Sequence, residues 1–418
     1  MVVIISALKI IVLLGFLIFI HELGHFTVAK LCKVKVNEFA LGFGPIIFQK
    51  QGKETKYELR LIPLGGFVSM EGETERSEAK GAFNKVSIPK RIAIVAAGGL
   101  VNIFFAIIVY FGLQAFVGNN VTTEVSSVIP GYIAESTGIK QGDIIRKING
   151  KKVRIQSDIN KIVTESNGNE LTLLIERSGS LFETQITPTT EEYYTTGIYL
   201  ESENSTKIQG FSTTDSVESQ GVKVGDTIIS VNGQNVENDS NKLSQILKEN
   251  YDKDTINLVV KRLNEDISIN IIPIKRQRYL LGINLKPADK NFSNNIYYGL
   301  INTGDFTFSI FDNLKQLVSG KVKTSDFMGP VGISSVVAKT NGMQEFLYIL
   351  AIISLSLGVT NLLPFPPLDG GKIVILIIEA IRRKPLKEKY EIGIQMIGFA
   401  LMIMLSLYVT YHDIIRIL

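Results

Sequence analysis

Ile10–Leu31 reads IIVLLGFLIFIHELGHFTVAKL, a strongly apolar stretch with His21-Glu22-Leu23-Gly24-His25 set near its middle. As a helix rising 1.5 Å per residue it spans about 33 Å, close to the thickness of a bilayer's hydrocarbon core. Residues four apart share a helix face, so His21 and His25 aim ring nitrogens at one point while Glu22 sits beside it. This is the arrangement by which zinc hydrolases hold a metal and a base. His21 falls roughly 18 Å along the helix from Lys9, which puts the expected site inside the membrane. Charge there is expensive, about 2.5–3.5 kcal/mol for a central Asp on insertion scales, so such residues signal function. Two of the three histidines of the chain lie in this one motif.

The rest of the 418-residue chain supports a membrane reading, with 45% hydrophobic and 20% charged residues and a mean hydropathy of +0.21. Ile92–Val117, Phe346–Leu363 and Ile392–Tyr411 carry no charge, giving four expected spans with the first. The net charge of +4 is small and dispersed, which argues against a nucleic-acid partner. Between Lys30 and Arg91 there are twelve Lys/Arg against seven Glu, and Arg382, Arg383, Lys384, Lys387 and Lys389 crowd the connection before the last span. The positive-inside rule places both segments in the cytoplasm and the termini and the middle of the chain outside. Cys32 is the single cysteine, so no intrachain disulfide forms. The first apolar run lacks a following small-residue cleavage site and is expected to stay as a span.

Residues 121–275 form a polar insert that contains a repeat. Gly138-Ile139-Lys140-Gln141-Gly142-Asp143-Ile144-Ile145 is echoed by Gly221-Val222-Lys223-Val224-Gly225-Asp226-Thr227-Ile228, and Ile148-Asn149-Gly150 by Val231-Asn232-Gly233, each at an offset of 83. An apolar strand closing on Asn-Gly signals a tight hairpin. The two copies read as small β domains and resemble bacterial PDZ domains, modules that capture peptides by strand addition. The second copy has Asp215-Ser216-Val217-Glu218-Ser219 where the first has Pro130-Gly131-Tyr132-Ile133-Ala134, so its peptide groove is the weaker match.

The expected fold is therefore a polytopic α-helical membrane protein with four transmembrane helices and two inserted extracytoplasmic PDZ-like α+β domains. Residues 1–120 form the first part of the membrane core, 121–192 and 193–275 the two PDZ-like domains, 276–345 a linker and 346–418 the second part of the core. Within the first part, Tyr57–Met70 reads as strand, Gly65-Gly66 turn and strand. Such an apolar hairpin either dips into the bilayer or lies on a surface. Within the linker, Asn291–Ser319 has apolar residues at helical spacing, suited to the membrane interface or, as the preferred reading, to packing against the insert.

Two histidines leave zinc short of the three protein ligands usual in catalytic sites. The candidate third is Asp369 in Asn361-Leu362-Leu363-Pro364-Phe365-Pro366-Pro367-Leu368-Asp369-Gly370-Gly371, where three prolines and two glycines unwind the end of the third span. Unwound backbone at membrane depth survives only when protein buries it or it lines a watery cavity.

His-Glu-Leu-Gly-His in the first span, Leu-Asp-Gly after the third and PDZ-like repeats between the second and third closely resemble the bacterial site-2 protease family (peptidase M50), of the regulator-of-sigma-E-protease (RseP) type. Gly42-Phe43-Gly44-Pro45, Ile62-Pro63-Leu64-Gly65-Gly66-Phe67, Ala96-Ala97-Gly98 with Asn102, and Gly329-Pro330-Val331-Gly332 follow in family order. Gly99 departs from the family, which commonly has proline there, and leads us to expect a slightly more flexible second span. The resemblance implies Zn²⁺ on His21, His25 and Asp369, Glu22 as general base, and Asn361, Gly65, Gly66 and Phe67 binding substrate. It implies regulated intramembrane proteolysis in the bacterial inner membrane, acting on single-pass proteins such as trimmed anti-sigma factors or remnant signal peptides. Peptide ligands of the PDZ-like domains are a further implied partner. The competing reading is a catalytically silent membrane scaffold that senses peptides through those domains, which would not need all four of His21, Glu22, His25 and Asp369.

Overall fold

The structure is a computed structural model that describes residues 2–73, 75–202, 204–212, 216–319, 329–338, 340 and 342–417. In chain order its helices are α1 (Val2–Leu31), α2 (Ile88–Phe116), α3 (Ile133–Ser136), α4 (Gln156–Glu165), α5 (Ser240–Glu249), α6 (Phe292–Val318), α7 (Pro330–Ala338), α8 (Gly342–Asn361), α9 (Asp369–Arg382) and α10 (Glu388–Ile417). The chain divides into two compact units, residues 1–118 with 295–411 and residues 119–294 with 412–418.

Among the described residues of the first unit, Ala7–Leu31, Ile88–Phe116, Gly342–Asn361 and Lys389–Tyr411 are the four helices long and apolar enough to cross a membrane. Ser87 and Pro89 open α2, a residue order that suits a helix start because proline lacks only an N–H that would be unpaired there. Lipid gives helices no hydrophobic reason to associate, so their packing depends on close backbone approach at small residues. A Cβ on Gly24 would stand 2.6 Å from the Ala97 carbonyl oxygen, which marks the α1–α2 crossing. One on Gly358 would stand 2.5 Å from the Gly99 oxygen, and one on Gly99 2.8 Å from the Gly358 oxygen. Gly99 is thus a packing residue at the α2–α8 crossing.

The segment between α1 and α2 forms two long antiparallel strands, β1 (Val36–Gln51) and β2 (Lys56–Met70). Gly42, Gly44 and Gly65 take φ of 86°, 82° and 133°, values open to glycine at no steric cost, and both ribbons break there. Residues 38–41 consequently lie beside 56–59 with the two numberings rising together, residues 36–41 pair antiparallel with 66–70 on the other side, and 46–51 pair antiparallel with 56–60. Residues 66–70 form an edge with no further strand among the described residues. Phe43, Ile46, Ile47, Phe48, Leu61 and Ile62 are exposed on this sheet. Its base joins Ala29, Val36, Met70, Phe83, Ile94, Val95 and Leu376 in one buried cluster, which fixes the sheet to α1, α2 and α9.

Helix α6 packs along α2. Phe306 stacks on Tyr110 with ring centroids 4.0 Å apart, Asn302 Nδ2 donates to Gln114 Oε1 at 3.2 Å, and Gly299 lies against Phe111. These contacts differ from the preferred expectation of packing against the insert: they are with α2, a helix long and apolar enough to cross a membrane.

The second unit holds two β modules with separate cores, one around Ile145, Ile148, Leu173 and Ile175, the other around Ile228, Val231, Leu258 and Val260. The repeat seen in the sequence is a loop clasp. In the first copy Arg177 Nε donates to Asp143 Oδ1 at 2.7 Å, its second nitrogen donates to Asp143 Oδ2 and the Gly138 oxygen, and Lys140 N–H donates to Asp143 Oδ2. Arg262, Asp226, Gly221 and Lys223 repeat every one of these bonds. The modules are nested. Residues 283–287 pair with 121–128, completing the first module's sheet from beyond the second copy, and 274–280 pair with 189–195. The first twelve residues of the expected linker, 276–287, are therefore mostly strand. Pairing at such sequence distance leaves no local signature.

Candidate metal centre

His21 and His25 stand one turn apart on α1, and Asp369 is the first residue of α9, delivered by the proline-rich turn that follows α8. Their ligand atoms meet. His21 Nε2 lies 3.1 Å from His25 Nε2, and Asp369 Oδ2 lies 3.3 Å from the first and 3.4 Å from the second. Tetrahedral zinc with ligands at about 2.0–2.2 Å sets ligand atoms about 3.3–3.6 Å apart. The observed triangle is close to one face of such a tetrahedron. Asp369 Oδ2 is buried and accepts no hydrogen bond, as expected of an oxygen whose partner is a cation. Among the described residues these three form the one cluster of His, Cys or acidic side chains able to share an ion. The residues present fit zinc.

The surroundings shape this triangle. His25 Nδ1 donates to the Ile94 carbonyl oxygen at 2.9 Å, which leaves the lone pair on Nε2. Gly98 on α2 provides the room: a Cβ there would overlap His25 Nε2 and stand 2.7 Å from His21 Cε1. A recess of about 220 Å³ lined by Glu73, Pro366, Asp369, Lys372 and Gln395 reaches the site. Lys372 Nζ pairs with Glu73 Oε1 at 2.7 Å, tying the turn that follows β2 to α9. Glu22 sits beside the ligands on α1. Gly66, on the open edge of β2, lies next to it: a Cβ at Gly66 would stand 3.0 Å from Glu22 Cγ. Phe67 continues that edge, and Gly65 lies under the Phe43 ring. Asn361 ends α8 with its amide nitrogen 3.4 Å from His21 Nδ1.

The sequence profile of peptidase family M50 matches residues 9–405. The chain belongs to peptidase family M50. As an M50 member with four helices able to span a bilayer, it is a membrane zinc metalloprotease of the site-2 type. Proteins named "Putative zinc metalloprotease" from Vibrio cholerae serotype O1 and Clostridium perfringens are each 30% identical to it, the first over 97% of this chain and 98% of its own length, the second over 96% and 95%. The regulator of sigma-W protease RasP of Bacillus subtilis is 29% identical over 99% of both chains. A solved HtrA3 PDZ domain with a phage-derived ligand matches 22% of the chain at 19% identity and a TM-score of 0.18, too slight a likeness to bear on the insert.

The structure adds Gly98 and Asn102 to the site's surroundings. The sequence placed both in a family-like segment without a role, because only the crossing of α1 and α2 brings them to the imidazoles.

Proposed function

We propose that this M50 protease cuts single-span membrane proteins, using Glu22 as general base and the open edge of β2 as the holder of the unwound substrate. The observation that carries this reading is the adjacency of three features: the ligand triangle, the Glu22 carboxylate and the strand edge at Gly66. His21, His25 and Asp369 would hold the zinc, which when bound would supply the Lewis acidity that activates water and polarises the scissile carbonyl.

A helical substrate has its amides closed in hydrogen bonds, so the segment to be cut must first be extended. An extended segment pairs with residues 66–70 by strand addition, and the missing side chain at Gly66 lets its backbone approach Glu22. Asn361, at the end of α8, is placed to bond a substrate amide. Glu22 takes a proton from the attacking water and passes it to the leaving nitrogen. The water oxygen bonds to the carbonyl carbon as the C–N bond breaks. The exposed apolar residues of the β sheet suit contact with lipid, and the closeness of Gly66 to Glu22 sets this edge at the depth of the α1 motif.

Lys/Arg asymmetry puts the β sheet on the cytoplasmic side of a bacterial inner membrane. The insert follows one spanning helix later and so lies outside, where its PDZ-like modules screen substrates such as anti-sigma factors for prior trimming.

The test compares purified wild type with Glu22→Gln on a tagged single-span substrate while measuring bound zinc. We expect the variant to keep its zinc and lose cleavage, since the ligands remain and the proton carrier is gone. Turnover by the variant would remove Glu22 from the base role. A wild type without zinc and without turnover would leave the scaffold reading.

A further inference from the structure

We propose that Asn102 is a positioning residue for the metal centre, accepting a hydrogen bond from His21 Nδ1–H through its side-chain oxygen. The inference rests on the reading of His21 as a zinc ligand through Nε2. An imidazole that gives its Nε2 lone pair to a metal carries its proton on Nδ1 and needs an acceptor there. For His25 that acceptor is the Ile94 carbonyl. His21 Nδ1 instead faces two amide nitrogens, Asn102 Nδ2 at 3.5 Å and Asn361 Nδ2 at 3.4 Å. Three N–H groups meeting at one place leave every one of them unpaired, so one carboxamide must present its oxygen.

A half-turn of a carboxamide exchanges oxygen and nitrogen with almost no change of shape. Two observations select Asn102. Its side chain is wholly buried on α2 and its Oδ1 has no hydrogen-bond partner, a costly state for a buried acceptor. The half-turn brings that oxygen to the His21 Nδ1 proton, so that an amide N–H without a partner replaces both the unpaired oxygen and an opposed pair of N–H groups. Its backbone is also held in place: Ser354 Oγ on α8 donates to the Asn102 carbonyl oxygen at 2.9 Å, one helical turn from the Gly99–Gly358 crossing. Asn361 is partly exposed at the end of α8, with its amide free to meet substrate. The α2–α8 contact therefore sets the tautomer and ring angle of a ligand on α1.

The test is zinc affinity, measured by chelator competition on the full-length protein in detergent, with melting of the metal-free form as the check on folding. Removing an outer-shell partner of a metal-bound histidine costs about 10–100-fold in affinity, and we expect Asn102→Leu to lose that much while Asn361→Leu loses less than about threefold. Asn102→Asp decides between donor and acceptor, because a carboxylate only accepts. We expect it to bind zinc within about threefold of wild type or tighter, and this arm stands even if the leucine variant does not fold. A loss in Asn102→Asp equal to that in Asn102→Leu, or a loss confined to Asn361→Leu, would overturn the assignment. Zinc retained by His21→Ala would instead show that the ligand reading had failed.

Discussion

Gly98 shows how little space separates the two imidazoles from the neighbouring helix. A methyl group at that position overlaps His25 Nε2 and has nowhere to go, since α2 is pinned to α1 at Gly24 and to α8 at Gly99. Gly98→Ala is expected to push the His25 ring off the ligand triangle, lowering zinc affinity at least about tenfold and proteolysis with it. Chelator competition beside a cleavage assay checks this. Zinc binding unchanged in that variant would mean that the helices part easily. At this scale the sequence was legible where chemistry is encoded by type and spacing. As candidates, His21, Glu22 and His25 stand out through helical periodicity, and Asp369 through its place in a proline-rich break; the structure brings His21, His25 and Asp369 together. Gly98 and Asn102 carry no such mark. A glycine and an asparagine in an apolar helix acquire meaning only when another helix crosses them.

Among the elements, the duplicated clasp makes the clearest energetic statement. Asp143 is fully buried and bound at both oxygens, while Arg177 is 35% exposed. Burial alone would raise the Asp143 pKa, but the Arg177 guanidinium and the Lys140 N–H outweigh it and hold the carboxyl below its usual range. A depressed folded-state pKa contributes stability above the ordinary carboxylate value and loses it as pH falls through the folded one. Arg177→Met strands a buried charge, which costs roughly 3–5 kcal/mol for fully buried pairs and about 2 kcal/mol here after allowing for the exposed arginine. Melting of the insert should therefore fall by several degrees at neutral pH, and the gap to wild type should narrow as acidification protonates Asp143 through its depressed folded-state pKa. A gap independent of pH would assign the loss to packing. The repeat itself was plain in the sequence, yet its purpose was not, because Arg177 and Arg262 lie outside the matching octapeptides and reach back from a neighbouring strand that follows an intervening helix.

On the scale of the whole molecule, the insert begins and ends at one place. Ala288 N–H donates to the Asn120 oxygen at 2.9 Å, and Pro287 is the strand partner of Val121. A segment whose ends touch can be cut out with little strain on its host. Replacing residues 121–287 by a short flexible linker should leave zinc and catalysis intact and allow cleavage of substrates whose outer domain is untrimmed, which the full chain should refuse. Reporters at Glu73 and Asn204 should read cytoplasmic and external sides respectively. A zinc-loaded excision variant that still refused untrimmed substrate would make the insert a docking device instead of a filter. The four spans were legible to within a few residues because hydrophobic length is a local property. The boundary between the modules was not, since an offset of 83 suggests beads in tandem.

Nesting also sets a clock. As the chain leaves the ribosome, the strand at 121–128 waits for its partner at 283–287 through about 160 further residues, some 8–32 s of synthesis at ordinary rates. Every strand and helix of the inner module's core, from Ile198 to Ile271, is made within that interval. The inner module can therefore be finished while the outer one still lacks its edge, so the unit matures from the centre outward, against the usual order from the N-terminus. Until residue 287 emerges, the outer module presents an unpaired strand, which is the period in which it most needs protection from other chains.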